Sequence, residues 1–273
     1  MTDSAYGFAE HIRQKLNDFT PRFALILGSG LGALANEIEN PRLIGYYEIP
    51  GFPRSTVAGH NGRFVAGLLC GQKVLCMQGR IHLYEGYAPA LVASVIKSFK
   101  LLGIEGIIVT NAAGSLNPAM QPGSLMLIND HINLSGFNPL IGPNDDRFGP
   151  RFPNMSRVYT PEWRQQAHRA AAAQNIPLFD GTYCMLSGPN FETAAEIRAC
   201  RILGADANGM STVPETMVAA YCGMKVLGIS AITNYCTGIE GGSPSHNETL
   251  ETANRCTAGL TALVKTFLEK YDG

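Results

Sequence analysis

Short apolar runs alternate with longer segments of helical spacing along this 273-residue chain, and this alternation constrains its fold more than any other feature. Residues 22–27, 106–110 and 226–233 are mostly apolar and are bounded by glycine or polar turns, as is typical of strands that are buried on both faces. Residues 90–102 and the C-terminal segment carry apolar side chains at helical spacing. Alternating strands and helices predict an α/β fold with a mostly parallel sheet covered on both faces.

Turn signals add local detail to this prediction. Residues 64–69 and 74–77 flank Gly71–Gln72, and the pattern predicts a β-hairpin. Residues 31–39 have helical composition and follow a glycine turn. We therefore expect a strand, a glycine turn and then a helix that ends at Asn40–Pro41.

Two T-x-x-E patterns, at residues 193–196 and 212–215, predict capping boxes at the start of two helices. A further helix is expected from Pro161 onward, and a strand near residues 182–186. The segments between these elements are too short and too varied in composition to be linkers. The sequence therefore predicts one domain that spans residues 1–273.

The charge and cysteine content exclude several classes of partner. A formal net charge of −1 creates no overall positive field for nucleic acid or an anionic membrane surface. No apolar run is long enough to cross a bilayer, and the N-terminal residues do not resemble a signal peptide. The seven cysteines are scattered and form no C-x-x-C pair, so we expect neither disulfides nor a zinc site. These features predict a cytoplasmic protein without a metal.

A glycine-rich turn is the first candidate binding motif. Residues 28–33 (GSGLGA) satisfy G-x-G-x-x-A after a predicted strand, and Glu48 follows about twenty residues later, as in dinucleotide-binding proteins. The same turn also suits a phosphate, because glycines let backbone N–H groups approach an anion and Ser29 adds a hydroxyl donor. A tight turn without a ligand is the third interpretation that the motif leaves open.

A second candidate motif is GRIHLYEGY at residues 79–87, which follows a predicted strand. In an extended chain, i, i+2 spacing sends Arg80, His82 and Tyr84 to one side. Arginine offers a fork of donors to an oxyanion, histidine adds another donor, and tyrosine presents a ring face to a sugar. An exposed polar strand edge is the alternative interpretation of each residue taken alone.

Other candidates lie in loops and at element ends, where open α/β sheets bind ligands. They are His60 in a glycine loop, Ala112 after a buried strand, Glu192 before a helix N-cap, Ser211 at a helix start and Asn234 at a strand end. Each is weak alone, since a loop histidine is usually solvated and a helix dipole stabilises a nearby carboxylate without any ligand.

Seven segments, in the same order along the chain, resemble the trimeric purine nucleoside phosphorylases, and the resemblance runs from about Pro21 to the C-terminal helix. The segments are GSGLG (28–32), PGFPRSTVAGHNG (50–62), GRIHLYEGY (79–87), VTNAAGSLNP (109–118), GPNFETAAEIR (188–198), GMSTVPE (209–215) and ITN (232–234).

The resemblance implies a role for each matching position. Phosphate is expected at Ser29, His60, Arg80, His82, the Ala112 backbone and Ser211. Ribose is expected at Tyr84, Met210 and His246, and the base at Phe191, Glu192 and Asn234. His82, Glu192 and Asn234 are the expected catalytic residues, and Phe152 is expected to reach a neighbouring subunit's site.

The resemblance also implies a single α/β domain around a mixed, distorted, barrel-like sheet, and a homotrimer. The chain resembles the bacterial branch of the family, which implies reversible phosphorolysis of inosine and guanosine, with xanthosine and deoxynucleosides as further candidates, in purine salvage. The implied products are the free base and α-ribose 1-phosphate. Phosphate is a co-substrate and no cofactor is implied. Two departures from animal relatives are Tyr235, where many carry lysine, and a Gly- and Ser-rich loop at residues 236–245.

Three other functions remain as alternatives at this point. A methylthioadenosine phosphorylase belongs to the same superfamily, but its base site suits a 6-amino purine, whereas Glu192 and Asn234 suit a 6-oxo purine. A dehydrogenase that uses the glycine turn for NAD would leave His60, Arg80 and Ser211 without roles. A non-catalytic nucleoside-binding protein would use the same contacts as the enzyme.

Overall fold

The computed structural model describes residues 2–56, 61–241 and 245–271. Within them the strands are β1 (Phe23–Leu27), β2 (Glu39–Gly45), β3 (Arg63–Leu69), β4 (Gln72–Gln78), β5 (Gly106–Ser115), β6 (Leu125–Asn133), β7 (Leu178–Met185), β8 (Ala207–Gly209) and β9 (Lys225–Tyr235). The α-helices are α1 (Thr2–Leu16), α2 (Pro89–Leu101), α3 (Pro161–Ala173), α4 (Ala194–Ile202), α5 (Val213–Tyr221) and α6 (His246–Glu269). Three short 3₁₀ helices cover Gly32–Glu37, Tyr46–Glu48 and Leu83–Glu85.

One sheet joins all of these strands in the order β2-β3-β4-β1-β5-β8-β7-β6-β9, and β5 also pairs with β9. That extra pairing closes β5, β8, β7, β6 and β9 into a barrel, while β1, β4, β3 and β2 extend from β5 as an open sheet. The pairs β1–β4, β1–β5, β5–β9, β6–β7 and β7–β8 are parallel, and β2–β3, β3–β4, β5–β8 and β6–β9 are antiparallel. The mixed, barrel-like α/β sheet implied by the resemblance is confirmed. The mostly parallel sheet expected from the alternation holds by a narrow margin, since five of these nine strand pairs are parallel.

Helices cover both faces of the sheet. The strand β1 is apolar throughout because its side chains are buried on both of these faces. Successive side chains of a strand point to opposite faces. Ala24 and Ile26 belong to the core cluster that also contains Phe8 of α1. Phe23, Leu25 and Leu27 belong to the second cluster, with residues of α3 and α6. Every β1 side chain is therefore buried, as the sequence predicts.

The predicted hairpin is confirmed, because β3 and β4 pair antiparallel and Leu69 lies opposite Gln72. The helix predicted over residues 31–39 is wrong. The chain forms a six-residue 3₁₀ helix there and then enters β2 at Glu39, which continues through Asn40 and Pro41. Proline is tolerated because β2 is an edge strand with one partner. Pairing with β3 therefore outweighs the local helical composition.

Only one of the two predicted capping boxes forms. At α4 the Thr193 hydroxyl accepts from the Glu196 N–H at 3.3 Å, and the Glu196 carboxylate accepts from the Thr193 N–H at 2.8 Å. At α5 the Thr212 side chain makes no capping bond and its φ is +78°. Glu215 instead binds Arg80, so a long-range ion pair replaces the local cap. None of the described helices is long and apolar enough to cross a lipid bilayer.

Candidate active site

A cavity of about 340 Å³ opens where β1, β5 and β9 reach their carboxyl ends. Such ends of parallel strands are the usual ligand sites of α/β sheets. The residues that line the cavity come from eight segments of the chain: Ser29; His82 and Tyr84; Ala112, Ala113 and Gly114; Pro189, Phe191 and Glu192; Asn208, Gly209, Met210 and Ser211; Thr233 and Asn234; His246; and Thr249.

One end of the cavity is organised around Thr110 of β5. Its hydroxyl accepts from the Gly28 N–H at 3.1 Å, and its carbonyl accepts from Arg80 Nη1 at 2.9 Å. A Cβ at Gly28 would lie 2.7 Å from the Asn111 Cα, so the turn requires glycine because it packs directly on β5. This contact fixes Ser29 at the cavity wall.

Arg80 lies behind the wall of the cavity, with only 1% of the residue exposed. Its Nε and Nη2 donate to Glu215 Oε1 at 3.1 and 2.8 Å, and Nη1 donates to Ser211 Oγ at 3.0 Å and Thr212 Oγ1 at 3.1 Å. Arg80 follows the end of β4 at Gln78 and does not itself line the cavity, so the common side expected for Arg80, His82 and Tyr84 stays a prediction. Arg80 reaches the cavity through Ser211, which is part of its lining.

His82 and Tyr84 do face the cavity, and their rings stack with centroids 4.6 Å apart. Glu85 fixes His82: one carboxylate oxygen accepts from the His82 N–H at 2.7 Å and lies 3.2 Å from Nδ1. The other oxygen accepts from the Thr56 N–H at 2.6 Å and hydroxyl at 2.7 Å.

Burial and hydrogen bonding act oppositely on the two titratable groups of this pair. Burial lowers the pKa of His82 below its ordinary value, against the raising effect of Glu85. Burial raises the pKa of Glu85, but the hydrogen bonds from His82 and Thr56 outweigh it and lower that pKa to about 2. The site therefore holds an ionised Glu85 against a neutral imidazole near neutral pH.

The middle of the cavity has an apolar wall. Gly188 has a φ of +66°, and a Cβ there would meet the Met210 side chain and lie 3.3 Å from the Tyr84 ring. Met210 and Tyr84 thus come together over Gly188 and form a surface suited to a sugar ring. Phe191, which is 40% exposed, lies on the cavity as well.

Glu192 and Asn234 are two further polar residues of the cavity lining, and their side chains differ in how many hydrogen-bond partners they have. Glu192 is 8% exposed and has no hydrogen-bond or ion-pair partner among the described residues. Asn234 is 6% exposed; its Nδ2 donates to the Tyr235 carbonyl at 3.0 Å and its Oδ1 accepts from Thr233 Oγ1 at 2.9 Å. One Asn234 N–H and the whole Glu192 carboxylate are left for a ligand.

One predicted site residue falls outside the described part of the chain, and Phe152 is not part of the cavity lining. His60 is outside the described residues. Phe152 does not line the cavity and is 88% exposed. Its neighbours Arg151 and Pro153 line a second cavity of about 230 Å³, which also contains Ile141.

Several lining residues were not predicted from the sequence, among them Gly114, Asn208, Thr233 and Thr249. Gly114 belongs to β5, which runs five residues beyond its predicted end because it pairs with β9 as far as Ser115. The described residues contain no cluster of three or more His, Cys, Asp or Glu side chains that could hold a metal ion.

Comparisons with known proteins agree with this geometry. The model of the phosphorylase superfamily matches residues 22–269. A purine nucleoside phosphorylase of Bacillus subtilis is 48% identical over 272 residues and covers 100% of both chains, and that of Bos taurus is 49% identical over 96% of this chain and 91% of its own. This chain belongs to the purine nucleoside phosphorylase family. It is accordingly an enzyme of the pentosyltransferase class.

Solved structures of this family share the fold. Schistosoma mansoni purine nucleoside phosphorylase in complex with inosine has a TM-score of 0.93 at 36% identity and covers 99% of this chain and 97% of its own. A schistosoma purine nucleoside phosphorylase in complex with hypoxanthine has a TM-score of 0.92 at 38% identity, with 99% of this chain and 98% of that chain covered.

Membership in the purine nucleoside phosphorylase family disfavours the two other enzymes that the sequence left open, the dehydrogenase and the methylthioadenosine phosphorylase. The glycine turn leads into a 3₁₀ helix and an antiparallel edge strand, so it lacks the strand-helix-strand unit of a dinucleotide site. The curated relatives quoted above carry the name purine nucleoside phosphorylase rather than methylthioadenosine phosphorylase.

Proposed function

We propose that this enzyme splits 6-oxopurine ribonucleosides, such as inosine and guanosine, with inorganic phosphate to give the free base and α-ribose 1-phosphate, and that the reaction is reversible. The observation that carries the proposal is the unpartnered, nearly buried carboxylate of Glu192 in the lining of the same cavity as Ser29, His82 and Ser211. The N1–H of a 6-oxopurine can donate a hydrogen bond to this carboxylate. The hydroxyls of Ser29 and Ser211 can donate hydrogen bonds to phosphate.

The phosphate end supplies donors and positive charge without a nucleophilic side chain. Ser29 and Ser211 offer hydroxyls, the Ala112 backbone borders the cavity, and Arg80 lies within hydrogen-bond distance of Ser211. His82 is neutral, so it exchanges a proton with the phosphate more readily than a fixed cation would. Phosphate itself then attacks the anomeric carbon as the glycosidic bond breaks through an oxocarbenium-like state.

The base end acts on the departing purine, where negative charge accumulates as the bond breaks. Asn234 donates its remaining N–H to the N7 and O6 side of the base, and Glu192 accepts from N1–H. A preorganised donor such as Asn234 at the position of developing negative charge lowers the barrier more than a group that binds substrate and transition state equally, and Glu192 orients the base for it. His246 and Met210, together with Tyr84, hold the ribose between the two ends.

The structures of Schistosoma enzymes contain inosine, guanosine and hypoxanthine, and one contains adenosine, so they support a purine nucleoside as substrate. The preference for a 6-oxo purine rests on Glu192 and Asn234. We propose phosphate as the co-substrate and no further cofactor. The seven free thiols support a reducing location such as the cytoplasm.

A homotrimer completes the proposal. Phe152 and Ile141 are 88% and 77% exposed and flank the second cavity, so a neighbouring subunit would bury an apolar surface there. In this assembly Phe152 reaches the active site of the neighbour.

The decisive assay measures hypoxanthine release from inosine with and without phosphate, and identifies the sugar product by NMR. Release that requires phosphate and yields α-ribose 1-phosphate is the expected result. Release without phosphate would indicate a hydrolase, and binding without any release would indicate a non-catalytic nucleoside-binding protein.

A further inference from the structure

Asn208 is a buried amide in the wall of the active-site cavity whose N–H groups are unused. The residue is 3% exposed and lines the cavity, and its Nδ2 has no hydrogen-bond partner within the described part of the chain. A buried donor without a partner costs about 1–3 kcal/mol, so such groups are rare in folded proteins and call for a cause.

The other end of the amide is anchored. Asn208 Oδ1 accepts from the Cys236 thiol at 2.9 Å. Burial, and next the charge of Glu192, raise the pKa of Cys236, so the sulfur keeps its proton and remains a donor. The thiol therefore determines which end of the amide is oxygen and leaves Nδ2 as the unused end.

The sheet register places Asn208 beside the proposed base-binding residues. Gly114 of β5 lies opposite Asn208 of β8 on one side and opposite Asn234 of β9 on the other. A Cβ at Gly114 would lie 3.0 Å from Asn208 Oδ1, 3.1 Å from Asn234 Nδ2 and 2.6 Å from Cys236 Sγ. Both amides thus lean over the same glycine, which leaves them room because it has no side chain.

If Asn234 and Glu192 bind two edges of the purine as proposed, the 6-oxo oxygen of the base lies between them. On the proposed function, Asn234 serves the N7 side of the purine and Glu192 accepts from N1–H. The 6-oxo oxygen lies between these two edges, and it has two lone pairs, so it can accept from two donors. A neutral donor there also offsets the repulsion between this oxygen and the Glu192 carboxylate.

We propose that Asn208 is a specificity-determining residue that donates an Nδ2 hydrogen bond to the 6-oxo oxygen of the purine base. Nδ2 is buried in the structure, so this hydrogen bond requires a turn about the Cβ–Cγ bond, whose torsional minimum is broad, to present Nδ2 to the cavity. The turn gives up only the thiol contact, which is a weak hydrogen bond.

The test compares a 6-oxo base with its 6-thio analogue, because sulfur is a weak acceptor and N1–H is retained. Dissociation constants of hypoxanthine and 6-mercaptopurine are measured by calorimetry, and kcat/KM is measured for inosine and 6-thioinosine. Asn208→Leu removes the amide at similar volume, and Asn208→Asp removes the donor with almost no change in shape. Ser230→Ala is the matched control, since the Ser230 hydroxyl is buried and unpartnered in β9 but does not line the cavity.

We expect both Asn208 variants to reduce the preference for the oxo compounds about fivefold, with Ser230→Ala unchanged. Equal losses for oxo and thio compounds, or an unchanged ratio in both variants, would overturn the proposal and leave Asn208 a packing residue. If Asn208→Leu does not fold, Asn208→Asp decides. The proposed function is judged separately, by phosphate-dependent release of hypoxanthine from inosine in the unmodified enzyme, and the base-binding comparison stands whatever that assay gives.

Discussion

Glu215 holds Arg80 behind the active-site wall through two hydrogen bonds to one carboxylate oxygen, with the two side chains 7% and 1% exposed. The pair joins α5 to the segment after β4. It keeps the guanidinium within hydrogen-bond distance of the Thr110 carbonyl and the Ser211 hydroxyl, at the proposed phosphate end of the cavity. Arg80 supplies positive charge there, and Glu215 determines where that charge lies.

Removing Glu215 should therefore destabilise the fold as well as the site. Glu215→Ala leaves a buried, uncompensated guanidinium, and we expect the free energy of unfolding to fall by about 3–5 kcal/mol. Urea denaturation measures this loss, and Glu215→Gln, which keeps an acceptor, should lose less. The KM for phosphate should rise more than the KM for inosine in Glu215→Gln. An alanine variant as stable as the unmodified enzyme would show that the ion pair does not determine the position of Arg80.

Glu85 links the loop that contains Thr56 to His82, and its ionisation should be visible in acid. Its pKa is lowered from 4.5 to about 2, so the folded state binds fewer protons than the unfolded chain in this range. The stability that ionised Glu85 contributes to the fold is fully present above about pH 4.5 and is lost as the pH falls toward 2. Glu85→Gln should reduce that acid-induced loss in thermal unfolding, and should raise the KM for phosphate because His82 loses its anchor. Glu251→Gln, an exposed carboxylate of α6, is the control, and an identical acid profile for both variants would contradict the role.

Phe152 tests the proposed assembly. Phe152→Ala should raise the KM for inosine several-fold without lowering the unfolding temperature of the subunit, because the side chain is 88% exposed in one chain. Light scattering at assay concentration measures the oligomer. Tyr47→Ala, which removes another exposed aromatic, should change neither quantity. A fully active monomer would refute the shared site.

Local sequence patterns correctly predict the elements that are stabilised by nearby residues or by burial alone. The turn at Gly71, the capping box at Thr193 and the buried run of β1 depend on neighbours within a few residues or on burial itself, and all three form. The helix expected after the glycine turn does not form, because the pairing of β2 with β3 is a contact that local composition does not record.

The same distinction applies to the site. Every described residue that the resemblance assigned lines the cavity, apart from Arg80 and Phe152. The direction of Arg80 depends on Glu215, which lies 135 positions away in sequence, and no local spacing indicates it. Asn208 was missed because its strand has three residues and because its importance comes from an unused donor, which only the folded chain reveals.

Glu192 should matter more for turnover than for binding. Its carboxylate has no partner among the described residues, so it is free to hold the base by N1–H in the orientation in which Asn234 donates to the side where negative charge develops. We expect Glu192→Ala to lower kcat by about tenfold or more, with a smaller change in the KM for inosine. Glu196→Ala is the control, because Glu196 caps the same helix without lining the cavity. Equal effects of the two variants would reduce Glu192 to a helix-terminus residue.

Asn234 should determine the choice between 6-oxo and 6-amino purines. Its Nδ2 already donates one hydrogen to the Tyr235 carbonyl, which leaves a single N–H for the base. Asn234→Asp replaces that donor with an acceptor, so the 6-oxo group of inosine would face an anion, whereas the 6-amino group of adenosine could donate to it. An unpaired group in a closed site costs about 1–3 kcal/mol, and the ratio of kcat/KM for inosine to that for adenosine should fall at least about tenfold. The carboxylate would also face the Tyr235 carbonyl, and this repulsion lowers activity toward both substrates alike. The ratio separates the two effects: a general loss of packing leaves it unchanged, and an unchanged ratio would mean that Asn234 shapes the end of β9 without selecting the base.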